Sequence, residues 1–156
     1  MESNLLNNKA PEFNLLDKDN APYALKQFLG KKVVLFFYPK DDTPGCTIES
    51  KAFSGIIEQF KKINCEVIGI SGGGAKTKTK FCNKYDLKLL MLSDTDFSVS
   101  KNYQSYGEKS FMGIKSEGIL RKTFVIDEKG ILVKIFDKVK VEEHAEEVLG
   151  FILSAL

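Results

Sequence analysis

No stretch of the 156-residue chain approaches eighteen consecutive apolar residues, so none is expected to span a membrane. The first ten residues are polar and lack the apolar core of a secretory signal, which points to the cytoplasm. No block of like charges forms a tail. Lys and Arg total 23 against 21 Asp and Glu, a formal net charge of +2 that leaves no footprint for nucleic acid. There is one histidine, His144, and one arginine, Arg121; the remaining basic residues are lysines. Cysteines stand only at 46, 65 and 82. An odd number without a Cys-x-x-Cys pair is a poor disulfide framework, and with His144 far off in sequence it speaks against a metal site. No metal or cofactor is expected. Internal repeats and low-complexity segments are absent.

What remains is a chain with 43% apolar residues, enough for a core and short enough for one domain over 1–156. Phe13 to Leu16 reads as a short strand and Leu25 to Leu29 as one helical turn. Val33 to Tyr38 is a continuous apolar run, the mark of a strand covered on both faces. Ile48, Ala52, Phe53, Ile56, Ile57, Phe60 and Ile63 recur at helical spacing and predict one amphipathic helix. Cys65 to Ile70 predicts a strand, Ser71 to Gly74 a loop, and Ala75 to Tyr85 a helix with a thin apolar face of Phe81, Cys82 and Tyr85. A short strand is expected near Met91 to Ser93. Thr123 to Asp127 and Ile131 to Phe136 predict a hairpin around Glu128-Lys129-Gly130. A last helix places Val141, Ala145, Val148, Leu149, Ile152, Leu153 and Leu156 on one face. This order requires a mixed central sheet with helices on both faces, an α/β sandwich of thioredoxin-like type.

The chemistry concentrates between Pro39 and Glu49, where the buried strand hands over to the helix. Thr43 suits the N-cap and Pro44 the first helical position, which puts Cys46 in the first turn. Unpaired amides and the positive end of the helix dipole favour a thiolate there. At an exposed site that effect is only about 0.3–1 kcal/mol, so further activation needs a fixed positive charge. Arg121 is the candidate, because arginine supplies a planar, always-charged fork that lysine does not.

The pattern Pro39-x-x-x-Thr43-x-x-Cys46 resembles the active-site signature of peroxiredoxins. Phe37-Tyr38-Pro39-Lys40 and Thr43-Pro44-Gly45-Cys46-Thr47 resemble the peroxiredoxin Q, or bacterioferritin comigratory protein, branch. The likeness continues through Leu92-Ser93-Asp94, Tyr106-Gly107-Glu108-Lys109, Arg121-x-Thr123-Phe124-Val125-Ile126-Asp127 and Lys138-Val139-Lys140. The resemblance implies a thiol peroxidase acting on hydrogen peroxide and organic hydroperoxides. Cys46 would be the nucleophile, Thr43 would hydrogen-bond the thiolate and the peroxide, Pro39 would shield the site from water, and Arg121 would sit beside the sulfur. Glu49, three residues on, would orient Arg121. The resemblance further implies thioredoxin as electron donor and, for small members, a monomer.

Peroxide attack leaves a sulfenic acid that must be recycled before it oxidises further. Many members of the branch carry a second cysteine five residues after the first; here that position is Lys51. Cys65 opens an apolar strand and reads as a buried thiol. Cys82 lies 36 positions after Cys46, a separation that matches members with the resolving cysteine on the following helix. Its thin apolar face implies low-cost opening, with Gly72-Gly73-Gly74 as a hinge.

Other signals are weaker. Gly72 to Thr77 superficially resembles a phosphate loop but lacks the G-x-x-x-x-G-K-[ST] spacing, and a flexible turn is expected. His144 is expected to be solvated or capping at the start of the last helix. Phe111 and Met112 suit either a peroxide entrance or ordinary packing. Two other classes compete. A disulfide oxidoreductase would place a first cysteine where Thr43 stands. A docking module would have an unreactive Cys46.

Overall fold

The architecture is that of a computed structural model describing residues 4–156, with the side chain of Phe111 outside the description. Strand β1 (Asn14–Leu16) turns into β2 (Pro22–Ala24), followed by a 3-10 turn over Leu25–Phe28. Then come β3 (Lys32–Phe37), α1 (Pro44–Gly55), α2 (Ile57–Lys62), β4 (Cys65–Ser71), α3 (Ala75–Tyr85) and β5 (Leu90–Ser93). The chain continues through α4 (Ser98–Asn102), β6 (Tyr106–Phe111), β7 (Ile114–Ile119), β8 (Lys122–Ile126), β9 (Leu132–Phe136) and α5 (His144–Ala155).

Seven strands form one mixed sheet in the order β2-β1-β5-β4-β3-β8-β9. The β3–β4 and β4–β5 pairs are parallel, while β8 runs antiparallel to β3 and β9. Strand β3 sits inside, so both its faces are covered. Val34 and Phe36 join one core with Phe53, Phe60, Phe81 and Val148 from the four longer helices. Val33, Leu35 and Phe37 join a second core with Leu25, Val99, Tyr103 and Phe124. The sandwich is therefore asymmetric: α1, α2, α3 and α5 lie on one face, and α4 with the 3-10 turn on the other.

Several expectations need correction. The single amphipathic helix breaks after Gly55, where Ile56 leaves helical geometry (φ −119°, ψ 20°) and its N–H bonds back to Phe53 and Ser54. Glycine's poor helix propensity explains the weak point. Helix α5 starts at His144, not Val141, and Leu153 stays 63% exposed because the buried stripe is Ala145, Val148, Leu149 and Ile152. The β6–β7 hairpin was not legible in the sequence, since its β7 strand is mostly exposed and shows no apolar alternation. Its turn uses Met112 and Gly113, both at positive φ (51° and 80°). The β8–β9 turn closes as expected on Gly130 (φ 85°), with Asp127 Oδ1 accepting from the N–H groups of Lys129 and Ile131.

Candidate active site around Cys46

Thr43 takes the N-cap position in extended geometry and Pro44 opens α1, so Cys46 lies in its first turn and is completely buried. The helix points this turn toward the loop between β7 and β8, which delivers Arg121. The Arg121 Nη2 atom donates to Cys46 Sγ at 3.3 Å, and Nη1 donates to Glu49 Oε1 at 2.7 Å. One guanidinium thus bridges the sulfur and a carboxylate one helical turn further on.

Burial pushes the Glu49 carboxyl up to about 7, against the opposing pull of Arg121. Its second oxygen, Oε2, is enclosed without a hydrogen-bond partner. Burial lowers the Arg121 pKa, yet the charges of Cys46 and Glu49 outweigh it and the net direction is upward. Gly45 leaves room for this geometry: a Cβ there would stand 3.2 Å from Arg121 Nη2, close enough that the guanidinium would have to shift slightly. The sequence offered no signal for that requirement.

The hydrogen bond expected from Thr43 to the sulfur is absent. The hydroxyl donates instead to the Lys40 carbonyl at 2.8 Å, closing the loop on itself. It does not cap the helix either. Pro39 lies half-buried at the end of β3, ahead of this loop. Lys109 on β6 is a second cation that sequence reasoning missed. Burial lowers its pKa while the charge of Cys46 raises it, and its ammonium donates to the Ile119 carbonyl at 3.2 Å. Met112 is 86% exposed at the hairpin tip and packs no site; the side chain of Phe111 is outside the described residues.

The other two cysteines differ. Cys65 is buried at the start of β4, and burial pushes its thiol up to about 12. Cys82 is buried on α3, in the same core as Cys46, and is also pushed up, first by burial and then by Asp41. All three are free thiols.

His144 is not solvated. It is fully enclosed, its Nε2 bonded to Thr123 Oγ1 at 2.7 Å and its Nδ1 to Glu147 at 3.1 Å. Phe53 and Phe136 pack edge-on against its ring. Burial lowers its pKa, which favours the neutral ring.

The glycine run is not a phosphate loop. A Cβ on Gly73 would collide with Asp41 and Thr77, and one on Gly72 with the Phe97 ring. Among the described residues no group of three or more His, Cys, Asp or Glu could hold a metal, and no helix is long and apolar enough to cross a membrane. A groove of roughly 500 Å3 runs along Glu12 to Leu16 and the start of α4 and touches none of the groups around Cys46. Around Cys46 a buried sulfur and the two-armed guanidinium of Arg121 meet in the first turn of α1.

The model of the AhpC/TSA family matches residues 6–135. Peroxiredoxin Bcp of Escherichia coli (strain K12) is 37% identical over 143 residues, covering 92% of this chain and 92% of its own. A bcp protein of Helicobacter pylori is 44% identical over 140 residues, covering 90% and 92%. A structure of Xanthomonas campestris peroxiredoxin Q superimposes with a TM-score of 0.86 at 31% identity, covering 92% and 90%. The bacterioferritin comigratory protein of the same organism, solved to explain its alkyl peroxide reduction activity, gives 0.85 at 30% identity over 91% and 90%.

Proposed function

Since the chain belongs to the AhpC/TSA family and is a thiol peroxidase of the peroxiredoxin kind, we propose that Cys46 is its peroxidatic nucleophile, Arg121 its activating cation and Cys82 its resolving thiol. The observation that carries this reading is the 3.3 Å contact between Arg121 Nη2 and Cys46 Sγ at the start of α1.

The thiolate of Cys46 attacks one peroxide oxygen; the S–O bond forms as the O–O bond breaks. The leaving oxygen takes a proton and departs as water or an alcohol. Arg121 and the free amides of the first helical turn face the charge that develops, without having to reorganise. Glu49 holds the guanidinium in that orientation. Thr43, whose proton is committed to Lys40, keeps oxygen lone pairs to accept from a peroxide O–H. Pro39, half-buried ahead of the loop, limits water.

The sulfenic acid then meets Cys82. The Cys82 sulfur attacks the Cys46 sulfur, the S–S bond forms, the S–O bond breaks, and hydroxide leaves with the thiol proton as water. Two thiols thereby supply the two electrons that reduced the peroxide. A dithiol donor of the thioredoxin class returns the disulfide to thiols. The cytoplasm, a monomer and a single domain over 1–156 complete this reading.

The test is a peptide map after one equivalent of hydrogen peroxide. A Cys46–Cys82 bridge with Cys65 reduced is expected. A Cys46–Cys65 bridge, or an intermolecular Cys46–Cys46 bridge, removes Cys82 from the role. Cys46→Ser should reduce turnover to background with the fold intact by circular dichroism; wild-type turnover in that variant would end the assignment of the nucleophile.

A further inference from the structure

The loop that leads into Cys46 and the helix that carries Cys82 are tied together by a buried ion pair. Asp41 is enclosed, and its carboxylate accepts four hydrogen bonds. Tyr38 OH and Ser71 Oγ donate to Oδ1 at 2.5 and 3.1 Å; Thr77 Oγ1 and Lys78 Nζ donate to Oδ2 at 2.9 and 3.4 Å. Lys78 has no exposed side-chain surface. Its ammonium also donates to Ser71 Oγ at 2.6 Å and to the Gly73 carbonyl at 3.0 Å, and lies 5.6 Å from the centre of the Tyr38 ring.

A buried ammonium persists only where its donors are matched. Here Asp41, Ser71 and Gly73 account for all three. The backbone is shaped around the pair, since any side chain at Gly73 would collide with the Asp41 carboxylate. The next residue repeats the tie: Asp42, at φ 57°, accepts from Lys84 Nζ at 3.0 Å and Tyr85 OH at 2.8 Å at the far end of α3. Apart from Lys78, the buried side chains of α3 are only Phe81 and Cys82. Polar contacts from one loop therefore carry an unusual share of its attachment.

We propose that the Lys78–Asp41 pair is a latch that sets how readily α3 opens, and through it how fast Cys82 reaches oxidised Cys46. Lys78 and Asp41 are thus positioning residues for the resolving step, an inference that rests on Cys82 being the resolving thiol. With the latch closed, Cys82 is buried, and burial disfavours the thiolate that must attack. With it open, the same thiol gains both access and its ordinary acidity. Neither Asp41 nor Lys78 bonds to Cys46, Arg121 or Glu49, so the latch acts on the second step without contributing a group to the first.

The experiment uses Thr77→Val and Lys78→Met in the full chain. Thr77 is exposed, so losing its hydroxyl spares the core. Hydrogen exchange of residues 75–85 in the reduced protein should quicken about fivefold in Thr77→Val, the loss of one net hydrogen bond, and more in Lys78→Met. Stopped-flow should show Cys46 oxidation by hydrogen peroxide close to wild type, and Cys46–Cys82 bridge formation accelerated by the same factor as exchange. A merely structural weakening would not divide the two steps in this way. Unchanged exchange in both variants overturns the latch. Faster exchange with an unchanged bridging rate overturns its coupling to catalysis. A wild-type protein that never forms the Cys46–Cys82 bridge overturns the Cys82 assignment and the coupling together, while the exchange data still decide whether Lys78 holds α3.

Discussion

Gly45 packs close against Arg121: a single methyl group on the glycine would lie 3.2 Å from the guanidinium Nη2 that contacts Cys46. That distance is tighter than an ordinary van der Waals contact, so one of the two groups would have to yield. Gly45→Ala should displace the guanidinium and slow Cys46 oxidation about tenfold, equivalent to roughly 1.4 kcal/mol of transition-state stabilisation. Stopped-flow oxidation by hydrogen peroxide measures this, and a wild-type rate would show that Arg121 accommodates the methyl group.

Arg121→Lys keeps the charge but loses the fork that serves Cys46 and Glu49 together. One ammonium cannot reproduce both contacts in that geometry. The second-order rate with peroxide should fall by roughly 10- to 100-fold with little change in thermal stability. An unaltered rate would reduce Arg121 to a charge without geometric role.

The Glu49 carboxyl, held at about 7 against an ordinary 4.5, makes a pH prediction with a definite sign. The folded state binds this proton more tightly than the unfolded state. Its contribution is therefore fully present below pH 4.5 and is lost as pH rises through 7. Relative to Glu49→Gln, wild type should lose on the order of 3 kcal/mol between pH 4.5 and 8. Denaturant titrations of the two proteins across that range test it; parallel stability curves would mean that Glu49 ionises normally.

His144 works in the opposite direction. Burial holds its folded pKa below the ordinary 6.5, so the stability of its neutral form is present above that pH and lost as pH falls below it. Removing the ring also empties the site between Phe53 and Phe136 and leaves Thr123 without its partner. His144→Ala should cost about 2–4 kcal/mol at neutral pH and weaken the loss of stability on the acid side. A cost below about 0.5 kcal/mol, the range of ordinary surface substitutions, would contradict this packing role.

Much of the scaffold was legible because its signals are local. The run Val33 to Tyr38 reads as an interior strand since every residue is apolar, and both faces of β3 are indeed covered. Pro44 placed Cys46 in the first turn of α1 because its fixed φ and missing N–H suit a helix start, while Thr43 holds the N-cap position without its hydroxyl capping. Where that local chemistry was weak, the reading slipped. Gly55 interrupted a periodicity that spans Ile48 to Ile63, and the β6–β7 hairpin carried no alternation because it faces solvent.

By itself, then, the amino-acid sequence determined the strand order's local units, the place of Cys46 in the first turn of α1 and the motif that ties it to its family. Only the tertiary structure decided what surrounds them, because those contacts join residues far apart in the chain. Arg121 reaches Cys46 across 75 positions and Glu49 across 72. Lys78, which no periodicity singles out, finds Asp41 across 37 positions and has no exposed side-chain surface. His144, likewise polar by type, is enclosed because Thr123 and Glu147 satisfy both ring nitrogens. Burial of a polar group is favourable only when its partners are in place, and sheet pairing and helix packing supply those partners where periodicity cannot.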